Sequence, residues 1–197
     1  MLKKILAVIA VIVLVFVIIV ALQPAEFHVA RTATVTAPAE VVFAQVNELK
    51  KWDSWSPWVK LDPAMKQSYE GPASGTGAIS RWAGNNQVGE GSMTITESRP
   101  NELIRLNLEF IKPMAGTSTA EFSFKPEGSR TTVTWSMSGK NNFIAKAMCL
   151  FMNMDKMVGG DFEKGLTSLK AIVEAQPTPA EKDDEQKSKN EAVAKSE

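Results

Sequence analysis

A serine or cysteine nucleophile needs a base to take its proton, and histidine is the usual one. This chain has a single histidine, His28, and a single cysteine, Cys149. His28 falls inside FHVARTATVT, a segment rich in β-branched residues, and reads as a half-exposed strand residue. Cys149 stands among Met148, Leu150 and Phe151, where a thiol is expected to be buried and inert. One cysteine permits no internal disulfide. Zinc sites need clustered His, Cys or carboxylate ligands, and the pattern offers no such cluster. No cofactor or metal is therefore expected.

Acid–base work by a carboxylate is the remaining chemistry. Glu90, Glu97, Glu109 and Glu121 lie on segments of strand character, as do Arg81 and Arg105. Alternation turns Glu109, Glu121 and Arg105 outward, although a register shift of one residue would reverse every side chain. The glycine-rich GPASGTG at 71–77 lacks both the strand-loop-helix context and the lysine of a phosphate cradle, and reads as a hairpin turn. No catalytic residue is assigned. Lys plus Arg and Asp plus Glu are equal at 22 each, with no basic stripe interleaved with aromatics, so nucleic acid is not an expected partner.

Aromatic residues carry more information. Trp52, Trp55 and Trp58 lie three apart in WDSWSPW and account for three of five tryptophans. On a tight helical turn they would share one face, and Pro57 would force Ser56 into an extended conformation. Spacing alone leaves two roles, a plug in the core or a belt at a membrane surface. Trp55 and Trp58 are expected to face inward, with Trp52 capping the helix face.

The elements that hold these residues follow from periodicity. Phe27–Thr36 reads as a first strand. Pro38 opens a short helix to about Lys51, with Val42, Phe43, Val46 and Leu49 at helical spacing. Six short strands follow, each closed by turn residues: Met65–Glu70, Gly77–Trp82, Val88–Glu97, Leu103–Ile111, Thr117–Phe124 and Arg130–Ser138. Ile104, Leu106, Leu108, Phe110, Phe122, Phe124, Val133, Trp135 and Met137 make one face of them apolar, and such a face needs a cover. Phe143–Ala175 supplies it as one long helix. Gly159, Gly160 and Gly165 inside that helix cost about 1 kcal/mol each against alanine. Either they let the helix pack closely on the sheet or break it, or they thin its wall beside a ligand or let it bend. Met148, Met152, Met154 and Met157 crowd its start and could fill an irregular core or adapt to apolar ligands.

The ends differ from this middle. ILAVIAVIVLVFVIIVAL at 5–22 is an uncharged apolar run, about 27 Å long as a helix, which suits a membrane span. It is longer than the apolar part of most signal peptides, and QPAE is a poor cleavage site. The expected division is a transmembrane anchor at 1–25, one domain at 26–175 and a disordered charged tail at 176–197. Lys3 and Lys4 would keep the N-terminus in the cytoplasm and put the domain on the extracytoplasmic, periplasmic side of the inner membrane.

The order strand, short helix, six-stranded meander, long helix resembles the α+β helix-grip fold of the SRPBCC, or START-like, superfamily. WDSWSPW at 52–58, YEGPASGTG at 69–77, VGEGSMTITESRPNELI at 88–104, TTVTWSMSG at 131–139 and MVGGDFEKGLTSLK at 157–170 are similar to its bacterial polyketide cyclase/dehydrase-like branch. This resemblance implies a seven-stranded antiparallel sheet curved around the helix, with a cavity between them for lipids, sterols, polyketides or other apolar molecules. The tryptophan segment, between the short helix and the first meander strand, would then be a packed lid where the cavity opens, and the residues expected to line it are Trp55, Trp58, Trp82, Met93, Leu108, Phe110, Phe122, Trp135, Met154, Met157 and Phe162. It does not imply a reaction, because the fold hosts binders and enzymes alike. The expected function is non-catalytic binding of a hydrophobic small molecule or lipid by a membrane-anchored domain. The rivals are a cyclase or dehydratase-like enzyme and an interaction domain with a filled core.

Overall fold

A computed structural model describes residues 1–176, so the expected tail at 176–197 lies almost wholly outside the described residues. An apolar helix, α1 (Leu2–Leu22), leads into β1 (Glu26–Val35) and α2 (Ala39–Asn47). A 3₁₀ turn (Leu49–Ser54) and a short helix, α3 (Pro57–Leu61), follow. The strands β2 (Lys66–Glu70), β3 (Ile79–Ala83), β4 (Glu90–Arg99), β5 (Leu103–Lys112), β6 (Gly116–Glu127) and β7 (Arg130–Lys140) then run as a meander. With β1 paired to β7, they form one antiparallel seven-stranded sheet in the order β1-β7-β6-β5-β4-β3-β2. The helices α4 (Phe143–Cys149) and α5 (Met154–Glu174) complete the domain.

The expected strands are all present, but both domain helices are divided. At the C-terminal end the single long helix is two, because Asn142 and Asn153 are each helix caps. Their side-chain oxygens accept from Ala145 N and Lys156 N, both at 2.9 Å. Asn153 followed by Asp155 in the first turn was the available signal for this second start. Hydrophobic periodicity ran through it and concealed it.

At the other end α2 stops at Asn47, four residues short of Lys51. Its last carbonyls have no partner within the helix. The tryptophan segment answers them. Trp52 donates its indole N–H to Val46 O at 2.9 Å, and Trp55 to Gln45 O at 3.4 Å. Lys51 reaches Ala44 O at 3.5 Å, and the backbone N–H of Gly75 donates to Asn47 O at 3.0 Å. The same indoles pack on each other, with ring centroids 4.6 Å apart. Ser56 is extended before Pro57, which then occupies the first turn of α3.

Beneath them the core is an aromatic stack. Trp135 of β7 lies between Phe162 of α5 at 4.1 Å and Phe122 of β6 at 4.7 Å, nearly parallel to the first at 10°. Trp52, Trp55 and Trp58 all meet Trp135 edge-on, at centroid distances of 5.9, 5.7 and 5.7 Å. These are the offset-stacked and T-shaped geometries that ring quadrupoles favour. Gly165 is required for the approach of α5, because a Cβ there would sit 2.7 Å from Trp135 Cζ3. Leu166, Leu169 and Val173 continue the buried face of α5 toward α2.

Trp55 is fully buried, at 0 % exposure, and combines packing with a cap. Trp55→Ala is expected to cost about 3–5 kcal/mol in urea denaturation. Trp55→Phe, which keeps a ring and loses the N–H donor to Gln45, should cost distinctly less.

Candidate functional site

Between the sheet and α5 the stack stops short of filling the interior. A cavity of about 280 Å³ remains, near the lower end of small-molecule pockets. Its floor is the concave face of β3 to β7, including Ser80, Trp82, Met93, Leu108, Phe110, Ala120, Trp135 and Met137. Its roof is the first half of α5: Met157, Val158, Asp161 and Phe162. One side is built by Leu49, Trp52, Asp53, Ser56, Trp58 and Val59, and Met65, Gln67, Gln87 and Val88 complete the rim. Sixteen of these residues are apolar and six polar, a wall suited to an apolar molecule.

Of the residues expected here from sequence, Trp58, Trp82, Met93, Leu108, Phe110, Trp135, Met157 and Phe162 come together around the cavity. Trp55, Phe122 and Met154 do not. Trp55 and Phe122 are one layer deeper, both at 0 % exposure and both packed edge-on or stacked against Trp135, which takes the cavity-facing place itself. Met154 is the first residue of α5 and is partly exposed at the helix break, one turn before the roof begins. Trp52 has the opposite correction, since it lines the cavity in the place expected for Trp55.

The polar lining was not anticipated. Ser80 and Met137 could have been found as the i±2 neighbours of Trp82 and Trp135 on the same strand face. Gln67 is likewise the i−2 neighbour of Tyr69 on β2, whereas Asp53 carried no such signal, because it lies in the 3₁₀ turn and meets that strand only through tertiary folding. The hydroxyl of Tyr69 lies 2.8 Å from Asp53 Oδ1 and 2.6 Å from Gln67 Oε1, and its one proton can serve only one of them. Burial, and then the Asp53 carboxylate, push the Tyr69 phenol well above its ordinary value, so it acts as a donor and not as a base. Asp161 pairs with Lys164 at 3.0 Å.

Other groups considered from sequence lie elsewhere. His28 is exposed on β1. Cys149 is partly exposed and not buried, because α4 packs little of its surface against the domain. Glu97 and Glu121 pair with Arg105, Glu70 with Arg81, and Glu90 with Lys112, all as surface ion pairs. Among the described residues no group of three or more His, Cys, Asp or Glu side chains could hold a metal ion.

The roof is pinned by a guanidinium. Arg31 of β1 places Nε 2.6 Å from Glu163 Oε1, and its two terminal nitrogens 3.0 Å from the two oxygens of Asp155. It crosses α5 over Gly159, where any Cβ would collide with the guanidinium. Gly159 is thus a close-packing residue, the first of the two readings its sequence allowed. Gly160 has open space around its Cβ position.

A sheet gripping a C-terminal helix around an apolar cavity defines a helix-grip domain of the SRPBCC superfamily. The chain belongs to the family described as polyketide cyclase / dehydrase and lipid transport, whose model matches residues 26–174. Among solved structures, the Zhui aromatase/cyclase from Streptomyces sp. R1128 is similar at a TM-score of 0.58 and 16% identity, over 79% of this chain and 98% of that one. A Chromobacterium violaceum protein is similar at 0.56 and 14%, over 76% and 98%. The Aha1 protein of Colwellia psychrerythraea is similar at 0.53 and 16%, over 76% and 97%. No curated protein matches the chain.

The Arg31 bridge sets a pH dependence. Hydrogen bonding to Arg31 holds the Asp155 carboxyl below its ordinary value, and the Thr36 backbone N–H does the same for Glu174. A depressed folded-state value contributes stability that is present above the unfolded value of about 4 and lost as pH falls through the folded one. The thermal midpoint of Asp155→Asn should therefore differ from wild type more at about pH 7 than at about pH 3. Thermal unfolding followed by circular dichroism at both values checks this.

Proposed function

We propose that this protein is a membrane-anchored domain that takes up a hydrophobic small molecule or lipid in the cavity and leaves it chemically unchanged. The carrying observation is the cavity itself: an open-mouthed, mostly apolar pocket whose histidine-free and cysteine-free wall holds only six polar residues. The family's description includes lipid transport, in keeping with this reading. The cavity also argues against an interaction domain with a filled core.

α1 serves as the anchor in this proposal. It has 21 residues, about 32 Å at 1.5 Å per residue, enough to cross a hydrocarbon core of about 30 Å. Lys3 and Lys4 precede its apolar run and favour a cytoplasmic N-terminus, with the cavity domain on the extracytoplasmic side. A cleaved leader is the competing reading of the same helix.

One observation favours an enzyme: Asp53, Gln67 and the Tyr69 hydroxyl form a hydrogen-bonded group at the rim. A cyclase or dehydratase acting on an apolar substrate could use a donor there.

Native mass spectrometry of the full chain, released from its membranes in mild detergent, tests both readings. The expected result is a bound apolar molecule, recovered with its mass unchanged after incubation. Leu108→Trp, which fills the floor, should lower its retention by at least about tenfold, or 1.4 kcal/mol. Loss of both ligand and variant effect would refute the binding reading. Conversion of the bound molecule, abolished by Tyr69→Phe, would establish the enzyme instead.

A further inference from the structure

α4 has no buried residue, and its exposed side chains are apolar. Phe143 is 50% exposed, Ile144 61% and Met148 39%, and in the turn after it Phe151 is 80% and Met152 39%. At 100° per residue Phe143, Ile144 and Met148 fall within one half of the helical circumference, with Lys146 and Cys149 on the other half, and the turn carries Phe151 and Met152 beyond them. A monomeric soluble protein rarely presents so continuous a row of large apolar groups.

The position of this row identifies what covers it. α4 packs against the end of α1, whose one buried residue, Val20, is at 0% exposure. Lys146 Nζ lies 3.4 Å from the carbonyl oxygen of Ala21, and Asn141 N donates to Ala25 O at 2.8 Å. With α1 across a bilayer, Ala21 sits at the outer edge of the hydrocarbon, and α4 is held at that depth. Lys146 then has the headgroup level for its charge while Phe143, Ile144 and Phe151 reach the acyl boundary, as in helices that lie in an interface. The next element carries the row to the site, because Met157, 46% exposed on the first turn of α5, also lines the cavity.

We infer that α4 and the turn at 150–152 lie in the outer bilayer interface, forming an apolar sill from the lipid to the cavity mouth. The partner is the membrane surface itself, not a second protein. This inference rests on the anchor reading of α1, and the test separates the two.

The full chain would be reconstituted in vesicles of phosphatidylcholine and phosphatidylglycerol, in a Cys149→Ser background, with an environment-sensitive fluorophore on one introduced cysteine. Val13→Cys reports α1, Phe151→Cys reports the sill, and Ser129→Cys reports the exposed β6–β7 hairpin. Lipids spin-labelled near the headgroup should quench the Phe151→Cys probe at least about twofold and leave the Ser129→Cys probe bright. Lipids labelled deep in the chain should quench the Val13→Cys probe. A quenched Val13→Cys probe beside a water-like Phe151→Cys probe would overturn the sill and keep the anchor. An unquenched Val13→Cys probe would overturn both. Chain-to-chain disulfide formation through unlabelled Phe151→Cys, beside an unquenched labelled one, would assign the row to a second copy, and also overturn the inference.

Discussion

The fold depends on how α2 ends. A helix that stops inside a protein leaves four carbonyls needing donors, and each one unsatisfied costs roughly 1–3 kcal/mol. Here the chain turns back at once and answers with two indole N–H groups from Trp52 and Trp55, a lysine and a backbone amide. A phenylalanine could have supplied an aromatic face there but could not have donated. The donor requirement draws the indoles to α2, and their ring faces, so placed, meet Trp135 and fix where sheet, α2 and α5 converge.

From this point the cavity follows as a boundary of the packing. The stack of Phe122, Trp135 and Phe162 occupies the end of the interior nearest α2, and the curved sheet extends beyond it. Trp82 and Phe110, edge-on at 6.0 Å, close the far side without reaching the stack. α5 cannot drop into the space between, because Arg31 holds its first half through Asp155 and Glu163 while Gly165 and Trp135 set its depth. Those ion pairs are exposed and individually weak, so their effect is chiefly one of position. A helix held at both points over a curved floor leaves room beneath it.

The same roof joins the cavity to α1. α4 is short, capped by Asn142, and spends its apolar side chains on nothing within the domain. Its neighbour on one side is the end of an apolar helix, and the chain that follows it leads through the turn at 150–153 into the roof of the cavity. Together with the family to which the chain belongs, this arrangement supports apolar uptake close to a membrane.

The chain itself determined a good deal. Alternation along β5, β6 and β7 identified the buried face, since a strand's period of two allows only one face to be apolar. The apolar run at 5–22 defined α1, and the local words of the domain pointed to its family. What the sequence could not decide was depth. Trp52, Trp55 and Trp58 are equivalent by spacing, yet Trp55 is core while Trp52 and Trp58 line the cavity. Phe122 and Leu108 both face inward, yet only Leu108 reaches the open space. Periodicity reports which way a side chain points and is silent about what stands in front of it. That was settled by the two glycines, the arginine and the capping indoles, which set how closely α5 and α2 approach the sheet. The helix break at Leu150–Asn153 was hidden for a related reason: apolar residues continued through it, and their partner was not the core.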